Sequence, residues 1–268
     1  MSKPRCADVH VLDVVPFGQS DDGRGCFALS LESPGWEDWA PGQFVMVRAP
    51  GWGLELSWGR PFSISDEGDG VLRLFFQVVG RGTERLSRLA KGDLVTVWGP
   101  LGNGFAVEPD TPTLMLAGGI GIAPFVGYVR RHPRPELLHL VFGHRIPLAS
   151  YPYDAIAGRA LSEHFREKSP ADLTAFLATL RERMASYAAS AATGGLALAC
   201  GPLPFLRTVQ RYAAELGVRA QLSLENRMAC GVGACLGCVS PDANGNRVQV
   251  CTHGPVFWSD RIQLTEGG

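Results

Sequence analysis

Three cysteines and three glycines share the stretch MACGVGACLGC at positions 228–238. Cys230, Cys235 and Cys238 follow the spacing C-x4-C-x2-C, and Cys251 comes later in the chain. A run of this kind followed by a distant cysteine is the plant-ferredoxin type of spacing, in which four thiolates hold a 2Fe–2S cluster. The loop is therefore predicted to hold a one-electron carrier.

Two other interpretations compete for the same cysteines. Buried thiols often behave as small apolar side chains, but four of the seven cysteines fall between positions 230 and 251, which argues against that interpretation. Structural zinc prefers two separated C-x2-4-C pairs or a mixture of cysteine and histidine. Only Cys235 and Cys238 form such a pair here, with His253 as an odd ligand. The interleaved glycines favour the cluster, because they let backbone N–H groups approach it closely.

Composition indicates a compact protein rather than a disordered or membrane-bound one. The chain is 46% hydrophobic and 19% charged, and its net charge of -1 gives no reason to expect nucleic acid or an acidic membrane as partner. The N-terminal MSKPRCADVH lacks the apolar core of a signal peptide, which predicts a cytoplasmic protein. The uncharged run 111–129 contains AGGIGIAP, which suits a loop, so no membrane span is predicted. Disulfides are uncommon in the cytoplasm, so the cysteines indicate metal or redox chemistry.

The first hundred or so residues have the pattern of short strands separated by turns. HVLDVV, CFALSLES, QFVMVRAP, LRLFFQVVG and DLVTVWGP are each bounded by Gly, Pro or Asp. Strands at this spacing predict a small antiparallel β-barrel. One short helix is predicted over TERLSRLA, beginning at Thr83 and ending before Gly92.

After residue 108 the pattern changes to alternating strands and helices. TPTLMLAGG, LLHLVFGHR and GLALACGP are apolar runs that end at turns, and APFVGYVRR and PFLRTVQRYAAELG are helical segments. This alternation predicts a parallel α/β sheet. A further helix is predicted after Ser169 and Pro170, with a core-facing stripe of Leu173, Phe176, Leu177, Leu180, Met184 and Tyr187.

The predicted fold is therefore a multidomain α+β protein. Its parts are predicted as an antiparallel β-barrel over residues 1–108, a parallel α/β domain over 109–220 and a small cluster-binding segment over 221–268. The boundaries follow the change from short strands to alternating elements, and then the start of the cysteine-rich segment.

Two motifs in the predicted barrel indicate a ligand that carries phosphate. GRPFSIS, at 59–65, is placed at the end of a barrel strand. VVGRGTERLS, at 78–87, puts Gly82 and Thr83 at a helix start, where free N–H groups favour phosphate. Arg60 offers a charge-assisted contact to the same group. An Arg-Pro turn alone is typical of an ordinary strand edge, and the pair of motifs favours a binding site.

A glycine-rich turn follows the first strand of the α/β part. LAGGIGIAP, at 116–124, is not the G-x-G-x-x-G fingerprint, but its glycines let the backbone approach a dinucleotide beside a helix start. ACGP, at 199–202, closes a later strand and puts Cys200 at the carboxyl edge of the sheet. Dinucleotides bind at that edge.

The order RPFS, GRGT, GGIGIAP, CGP and four-cysteine loop resembles the ferredoxin-reductase superfamily over nearly the whole chain. SLENRMACGVGACLGCV and CTHGPVF are similar, more specifically, to the electron-transfer subunits of two-subunit, NAD-type (class B) dihydroorotate dehydrogenases. The resemblance implies a flavin-binding barrel, a pyridine-nucleotide domain and a redox role in pyrimidine biosynthesis. Electrons would pass between NAD(H), FAD, the 2Fe–2S cluster and the FMN of a separate catalytic subunit, in a heterotetramer.

The resemblance also implies which residues contact each cofactor. Ser63 would form the hydrogen bond to the reactive ring nitrogen of the flavin. The other implied FAD contacts are Arg60, Pro61, Phe62, Phe75, Phe76, Gln77, Gly82 and Thr83. The implied NAD contacts are Gly118, Gly119, Gly121, Pro124, Cys200, Gly201 and Pro202, and the cluster ligands are Cys230, Cys235, Cys238 and Cys251.

The chain departs from the superfamily pattern between about residues 143 and 195. One interpretation is a helical insertion without functional meaning. The other is altered or lost NAD binding, with a different electron acceptor. Arg145, at the end of the second α/β strand, is a residue type that accepts the 2′-phosphate of NADP, although a lone arginine is more often a solvated surface residue. The resemblance favours NAD.

Two other functions fit parts of the sequence. One is the flavin and 2Fe–2S subunit of a ferredoxin:NADP oxidoreductase or sulfide dehydrogenase, which shares the layout. The other is a non-enzymatic adaptor stapled by zinc. Dihydroorotate oxidation needs a general base, and no Ser or Cys outside the predicted cofactor sites clusters with a His or carboxylate. The chain is therefore predicted to be inactive on dihydroorotate alone.

Overall fold

The first part of the chain forms a closed antiparallel barrel. The computed structural model describes residues 3–18, 25–49, 51–189 and 194–264. The barrel strands are β1 (Arg5–Phe17), β2 (Cys26–Glu32), β3 (Phe44–Arg48), β4 (Arg60–Gly68), β5 (Val71–Gln77) and β6 (Leu94–Leu101). They follow one another around the barrel in the order β1-β2-β5-β4-β3-β6, which confirms the predicted architecture.

Alternating apolar side chains fill the barrel. Leu29 and Leu31 of β2 are fully buried, as are Val95 and Val97 of β6. Side chains two positions apart point to the same face of a strand, and these side chains meet those of the other strands in one cluster. The period-two pattern of the first hundred residues is thus the reason that the barrel has a core.

Two local predictions about the barrel were wrong. Arg60 and the rest of its motif begin β4 instead of ending a strand, and proline, which lacks an N–H, is tolerated at a strand start. The helix is α1 (Arg81–Leu86), so it starts before Thr83 and is shorter than predicted. Thr83 is not its first residue, because its hydroxyl caps the helix by accepting the N–H groups of Val79 and Gly80 at 2.9 and 3.2 Å.

The second part of the chain forms a six-stranded sheet. Its strands and a small hairpin are β7 (Thr113–Gly118), β8 (Leu138–His144), β9 (Leu161–Arg166), β10 (Leu196–Cys200), β11 (Arg219–Ser223), the hairpin strands β12 (Val239–Pro241) and β13 (Arg247–Gln249), and β14 (Val256–Trp258). The sheet order is β14-β11-β10-β7-β8-β9. All pairs are parallel except β11 with β14, which agrees with the predicted parallel α/β sheet.

Helices cover both faces of this sheet. They are α2 (Ala123–Arg131), α3 (Asp154–Ala157), α4 (Pro170–Ala189), α5 (Leu203–Leu216) and, beyond the sheet, α6 (Val250–His253). Met115 and Ala117 of β7 pack with α2 and α3. Leu114 and Leu116 pack on the other face with α4 and α5.

The stretch between residues 143 and 195 is part of the sheet and not an appended helix. It supplies the edge strand β9 and the helix α4. The predicted cap is present, since Ser169 Oγ accepts the N–H of Asp172 at 3.3 Å and Ser169 N–H donates to the Asp172 carboxylate at 2.9 Å. The core-facing stripe of α4 includes Phe176, Leu180 and Met184, which are buried as predicted. Leu173 is 37% exposed, so the buried stripe begins later in the helix than predicted.

The C-terminal segment returns to the barrel. Asn103 N–H donates to the carbonyl of Gly254 at 2.7 Å, and Asn103 Oδ1 accepts the N–H of Val256 at 3.0 Å. Because β11 spans the predicted division at residue 220, the sheet continues into this segment. The three-domain division stays a prediction.

The uncharged run at residues 111–129 folds as β7 and most of α2. Within the described ranges, no helix is both long and apolar enough to cross a membrane.

Candidate functional site

A cleft lies between the barrel and the carboxyl edge of the sheet. The barrel contributes the start of β4 and the end of β5, and the sheet contributes the turns after β7 and β10 and the segment after β11. Predicted residues from distant parts of the chain meet here. Those that line the cleft are Arg60, Pro61, Phe62, Ser63, Phe75, Phe76, Gln77, Thr83, Gly121, Cys200 and Gly201.

Five predicted residues lie next to this lining without being part of it: Gly82, Gly118, Gly119, Pro124 and Pro202. Gly82 has a clear role, since a Cβ there would lie 2.8 Å from Arg60 Nε. The glycine therefore lets the guanidinium lie against the first turn of α1. Arg60 Nη1 also donates to the carbonyl of Trp58 at 2.9 Å, which fixes the side chain at the mouth of the cleft.

Aromatic rings form the barrel wall of the cleft. Phe62 and Phe76 lie with their centroids 5.5 Å apart. Ser63, next to Phe62, lines the same wall opposite the turns of the sheet and pairs with Phe44 in the β3–β4 register. An apolar, aromatic wall with the Ser63 hydroxyl and the Arg60 guanidinium fits a flavin, whose ring is aromatic and whose tail carries phosphate.

The two glycine-containing turns of the sheet touch each other. A Cβ at Gly121 would collide with the carbonyl of Cys200, and one at Gly201 would lie 3.1 Å from Gly118 Cα. These glycines are therefore needed for contact between the turns after β7 and β10. Gly119 differs, because it has a φ of +54° and a Cβ there would meet nothing closer than Tyr151 Oη at 3.9 Å. The space beside the Gly119 Cα is therefore open, whereas the space beside Gly121 and Gly201 is filled by protein atoms.

The last residue of β11 and the segment after it also line the cleft, although no motif in the sequence had marked them. They are Ser223, Leu224, Glu225, Asn226 and Met228. Glu225 is exposed to solvent along the open cleft, but protein atoms around its carboxyl partly desolvate it. This desolvation raises the pKa of the carboxyl above its usual value. Burial also raises the pKa of Cys200 to about 12, with a smaller effect from the charge of Glu225.

A signal for these residues was present in SLEN. β11 ends at Ser223, so polar residues directly after it come to the carboxyl edge of the sheet beside Cys200.

The cysteine loop surrounds its thiols with backbone donors. Val232 N–H and Cys235 N–H point to Cys230 Sγ at 3.5 and 3.4 Å, and Gly233 N–H points to Cys251 Sγ at 3.2 Å. Gly231 and Gly233 have φ values of +73° and +79°, a region that side chains other than glycine rarely adopt. These glycines turn the loop so that its N–H groups face the sulfurs.

The thiols lie in two pairs. The thiol of Cys230 interacts with that of Cys235, and the thiol of Cys251 with that of Cys238. Across the described residues, no three His, Cys, Asp or Glu side chains converge as ligands of one metal ion. Two pairs of thiols, with N–H groups around them, fit a cluster of two irons better than a single zinc ion.

The surroundings of the thiols shift their pKa values in opposite directions. Burial tends to raise the pKa of Cys230, but hydrogen bonds from the N–H groups of Val232, Cys235 and Ala234 outweigh it and lower the pKa to about 7. Burial, followed by the neighbouring thiol of Cys238, raises the pKa of Cys251 to about 12. Bound iron, which is cationic, would stabilise the thiolate form of each cysteine and so offset the rise in the pKa of Cys251. The four thiols are therefore suited to bind a metal cluster.

The cysteine loop is fastened to the wall that also forms the cleft. Trp98 Nε1 donates to the carbonyl of Cys230 at 2.9 Å. A Cβ at Gly231 would lie 2.6 Å from Met46 Cγ, so the loop rests directly on β3. Met46 pairs with Pro61 on one side and with Trp98 on the other. One three-strand strip of the barrel therefore connects the RPFS motif to the cysteine loop.

Arg145 lies immediately after β8, as predicted, but it is not a free cation. Its Nε and Nη2 donate to the two carboxylate oxygens of Glu167, both at 3.0 Å.

Comparison with known proteins places the chain among redox subunits. The model of the iron–sulfur cluster binding domain of dihydroorotate dehydrogenase B matches residues 225–263. Three proteins named dihydroorotate dehydrogenase B (NAD(+)), electron transfer subunit, are similar over most of their length. The one from Caldanaerobacter subterraneus is 31% identical over 83% of this chain and 86% of its own. Those from Desulforamulus reducens and Listeria monocytogenes are 35% and 31% identical, and cover 83% and 92% of this chain and 86% and 96% of their own.

Solved structures share the fold. The structure of an NADH-dependent reduced ferredoxin-NADP oxidoreductase superposes with a TM-score of 0.78 at 23% identity, covering 96% of this chain and 90% of that one. Ferredoxin-NADP+ reductase from Plasmodium falciparum superposes with a TM-score of 0.63 at 12% identity, covering 80% and 95%. At these identities the likeness concerns the fold alone.

Proposed function

Because the chain belongs to the family of dihydroorotate dehydrogenase B electron-transfer subunits, we propose that it passes electrons between NAD(H) and a separate FMN-containing catalytic subunit. The observation that carries this proposal is the strip of barrel shared by the cleft and the cysteine loop. A two-electron site and a one-electron site on the same wall form a short route through the protein.

The cleft would hold FAD, which would supply two-electron exchange with the nicotinamide, and the four cysteines of the loop would hold a 2Fe–2S cluster, which would supply one-electron transfer. The chain's own task is to bind and orient these groups. Arg60 provides a positive charge for the flavin phosphates, held in place by Gly82 and the Trp58 carbonyl. Phe62, Phe75 and Phe76 supply the apolar wall for the ring.

The side of the cleft opposite this wall is proposed as the place where the nicotinamide approaches. Ser63 on the barrel and Cys200 with Gly201 on the sheet line the same cleft. Ser63 is proposed to donate a hydrogen bond to the flavin ring. The Cys200 thiol stays protonated because burial raises its pKa to about 12, so it places no negative charge beside the electron-rich flavin.

The cysteine loop is proposed as the surface that contacts the catalytic subunit. The stretch at 228–238 has no charged residue, and Val232 and Leu236 are 54% and 57% exposed. The centres of protein interfaces are depleted of charge and tolerate such apolar groups. A heterotetramer, with two chains of each kind, is part of the proposal.

The test is reconstitution with the FMN-containing subunit under anaerobic conditions. NADH is expected to bleach the flavin of the isolated chain, and dihydroorotate to have no effect until the catalytic subunit is added. Oxidation of dihydroorotate by the chain alone would contradict the proposal.

Leu236→Glu places a charge on the proposed contact surface. We expect it to lower assembly and electron transfer to the catalytic subunit at least tenfold, since an unpaired charge in an interface core costs more than about 1.4 kcal/mol. Leu173→Glu, on the exposed start of α4, is the matched control and should assemble normally. Full coupling in the Leu236→Glu protein would exclude this surface.

A further inference from the structure

Arg145 stands where a dinucleotide site reads the ribose. Gly118, at the start of the glycine turn, pairs in register with Gly143 of β8, and Arg145 follows two positions later at the same edge of the sheet. In sites of this design an arginine at the end of the second strand accepts the 2′-phosphate of NADP. Arg145 by itself would therefore favour NADP.

The structure gives this arginine a partner that the sequence did not reveal. The two carboxylate oxygens of Glu167 accept hydrogen bonds from Nε and Nη2 of the Arg145 guanidinium, both at 3.0 Å. Carboxylate and phosphate compete for the same bidentate edge of a guanidinium. Glu167 thus occupies the edge that a 2′-phosphate needs.

Glu167 is held more firmly than the arginine it binds. Its side chain is 27% exposed, against 77% for that of Arg145. Its N–H donates to the carbonyl of His144 at 2.8 Å, one residue before Arg145. Arg166 Nε donates to the Arg145 carbonyl at 3.2 Å, which ties the ends of β8 and β9 together. The carboxylate is therefore fixed beside Arg145 by backbone contacts.

We propose that Glu167 is the residue that sets the preference for NAD(H) over NADP(H). It does so in two ways: it occupies Arg145, and it keeps a negative charge where the 2′-phosphate would lie. Arg166 lies at the same edge, since its Nε donates to the Arg145 carbonyl, so removing the charge of Glu167 leaves two arginines there. This inference rests on the proposed nucleotide site.

The test compares Glu167→Gln with the unchanged protein, loaded with FAD and cluster. Flavin reduction by NADH and NADPH is followed by rapid mixing, and binding of adenosine 2′,5′-bisphosphate by calorimetry. We expect the ratio of NADPH to NADH reduction rates and the affinity for the bisphosphate to rise about five- to twentyfold. The double variant Arg145→Gln/Glu167→Gln should lose this gain.

Glu215→Gln is the matched control, because Glu215 pairs with Arg181 at 3.3 Å on the helices of the same sheet. This control should change neither the NADPH-to-NADH ratio of flavin reduction nor the affinity for adenosine 2′,5′-bisphosphate. An unchanged ratio in Glu167→Gln, or a gain that persists in the double variant, would overturn the inference. Failure of NADH to reduce the flavin of the unchanged protein would instead count against the proposed nucleotide site, and the calorimetric comparison would still decide the role of Glu167.

Discussion

The cysteine loop and the neighbouring cleft are built from very different lengths of chain. The loop takes its four thiols from residues 230–251 and its hydrogen-bond donors from backbone N–H groups within the same segment. The cleft takes its lining from residues as far apart as Phe44 and Pro255. A site whose ligands all come from one segment is expected to lose its cofactor when any one ligand is removed. A site lined by many elements is expected to lose only part of its affinity with each residue removed.

The largest effect is expected at the loop. Cys235→Ala removes one of four ligands, and we expect the loss of both irons, because a cluster cannot be held by the remaining local set. FAD content should stay unchanged, since the cleft is lined by other elements. Iron and acid-labile sulfide analysis together with flavin absorbance measures both.

Cys6→Ala is the control for this change, because Cys6 is an exposed thiol on β1. It should retain both cofactors. Full iron content in the Cys235→Ala protein would contradict the assignment of the ligands. It would also show that the cysteine loop does not lose its cofactor more abruptly than the cleft does.

An intermediate effect is expected at Arg60. Arg60→Ala removes one charged contact from a site with many others, which predicts a loss of about 1.5–3 kcal/mol, or roughly ten- to a hundredfold in FAD affinity. Fluorescence titration of the apoprotein with FAD measures this loss. Arg85→Ala is the control, because Arg85 lies on α1 but pairs with Glu55 at 2.8 Å. Equal losses in both variants would mean that α1 is destabilised and that Arg60 has no specific role.

The smallest effect concerns Glu225. Because the pKa of its carboxyl is raised in the folded protein above the ordinary 4.5, the folded chain binds this proton more tightly than the unfolded chain. The free energy of unfolding therefore falls as pH rises from about 4.5 through the folded pKa. In the Glu225→Gln protein this fall in the free energy of unfolding is absent, because the amide carries no titratable proton.

Melting temperatures measured across this range check the sign. The Gln variant should melt about 1–2 °C above the parent near pH 8, and the difference should vanish near pH 4. A difference that is constant with pH would show that the Glu225 carboxyl is not held away from water.

The contrast between the regions also explains what the sequence could predict. Cysteine spacing and glycines specify the loop, because its ligands and its turns lie in one short segment. The barrel and the parallel sheet were predictable too, because short strands between turns indicate the barrel, and continuous apolar runs alternating with helices indicate the sheet. Glu225 and Met228 were not recognised, because they enter the cleft only when β11 takes its place beside β10. The same holds for Glu167, which meets Arg145 only because β9 pairs with β8.

The start of β4 was misjudged for a similar reason. Arg-Pro-Phe-Ser has the composition of a turn, and only its pairing with β3 makes it the beginning of a strand. Local patterns predict local structure, whereas the cleft depends on which strands become neighbours.

The contact between Asn103 and the residues around α6 bears on the order in which the protein matures. Cys251 lies on α6, whose C-terminal end is held by Asn103 through the carbonyl groups of His253 and Gly254. During synthesis the first three cysteines leave the ribosome before the fourth. A chain that ends before Cys251 lacks the fourth ligand, so it is expected to show no absorbance from the cluster even when its barrel is complete.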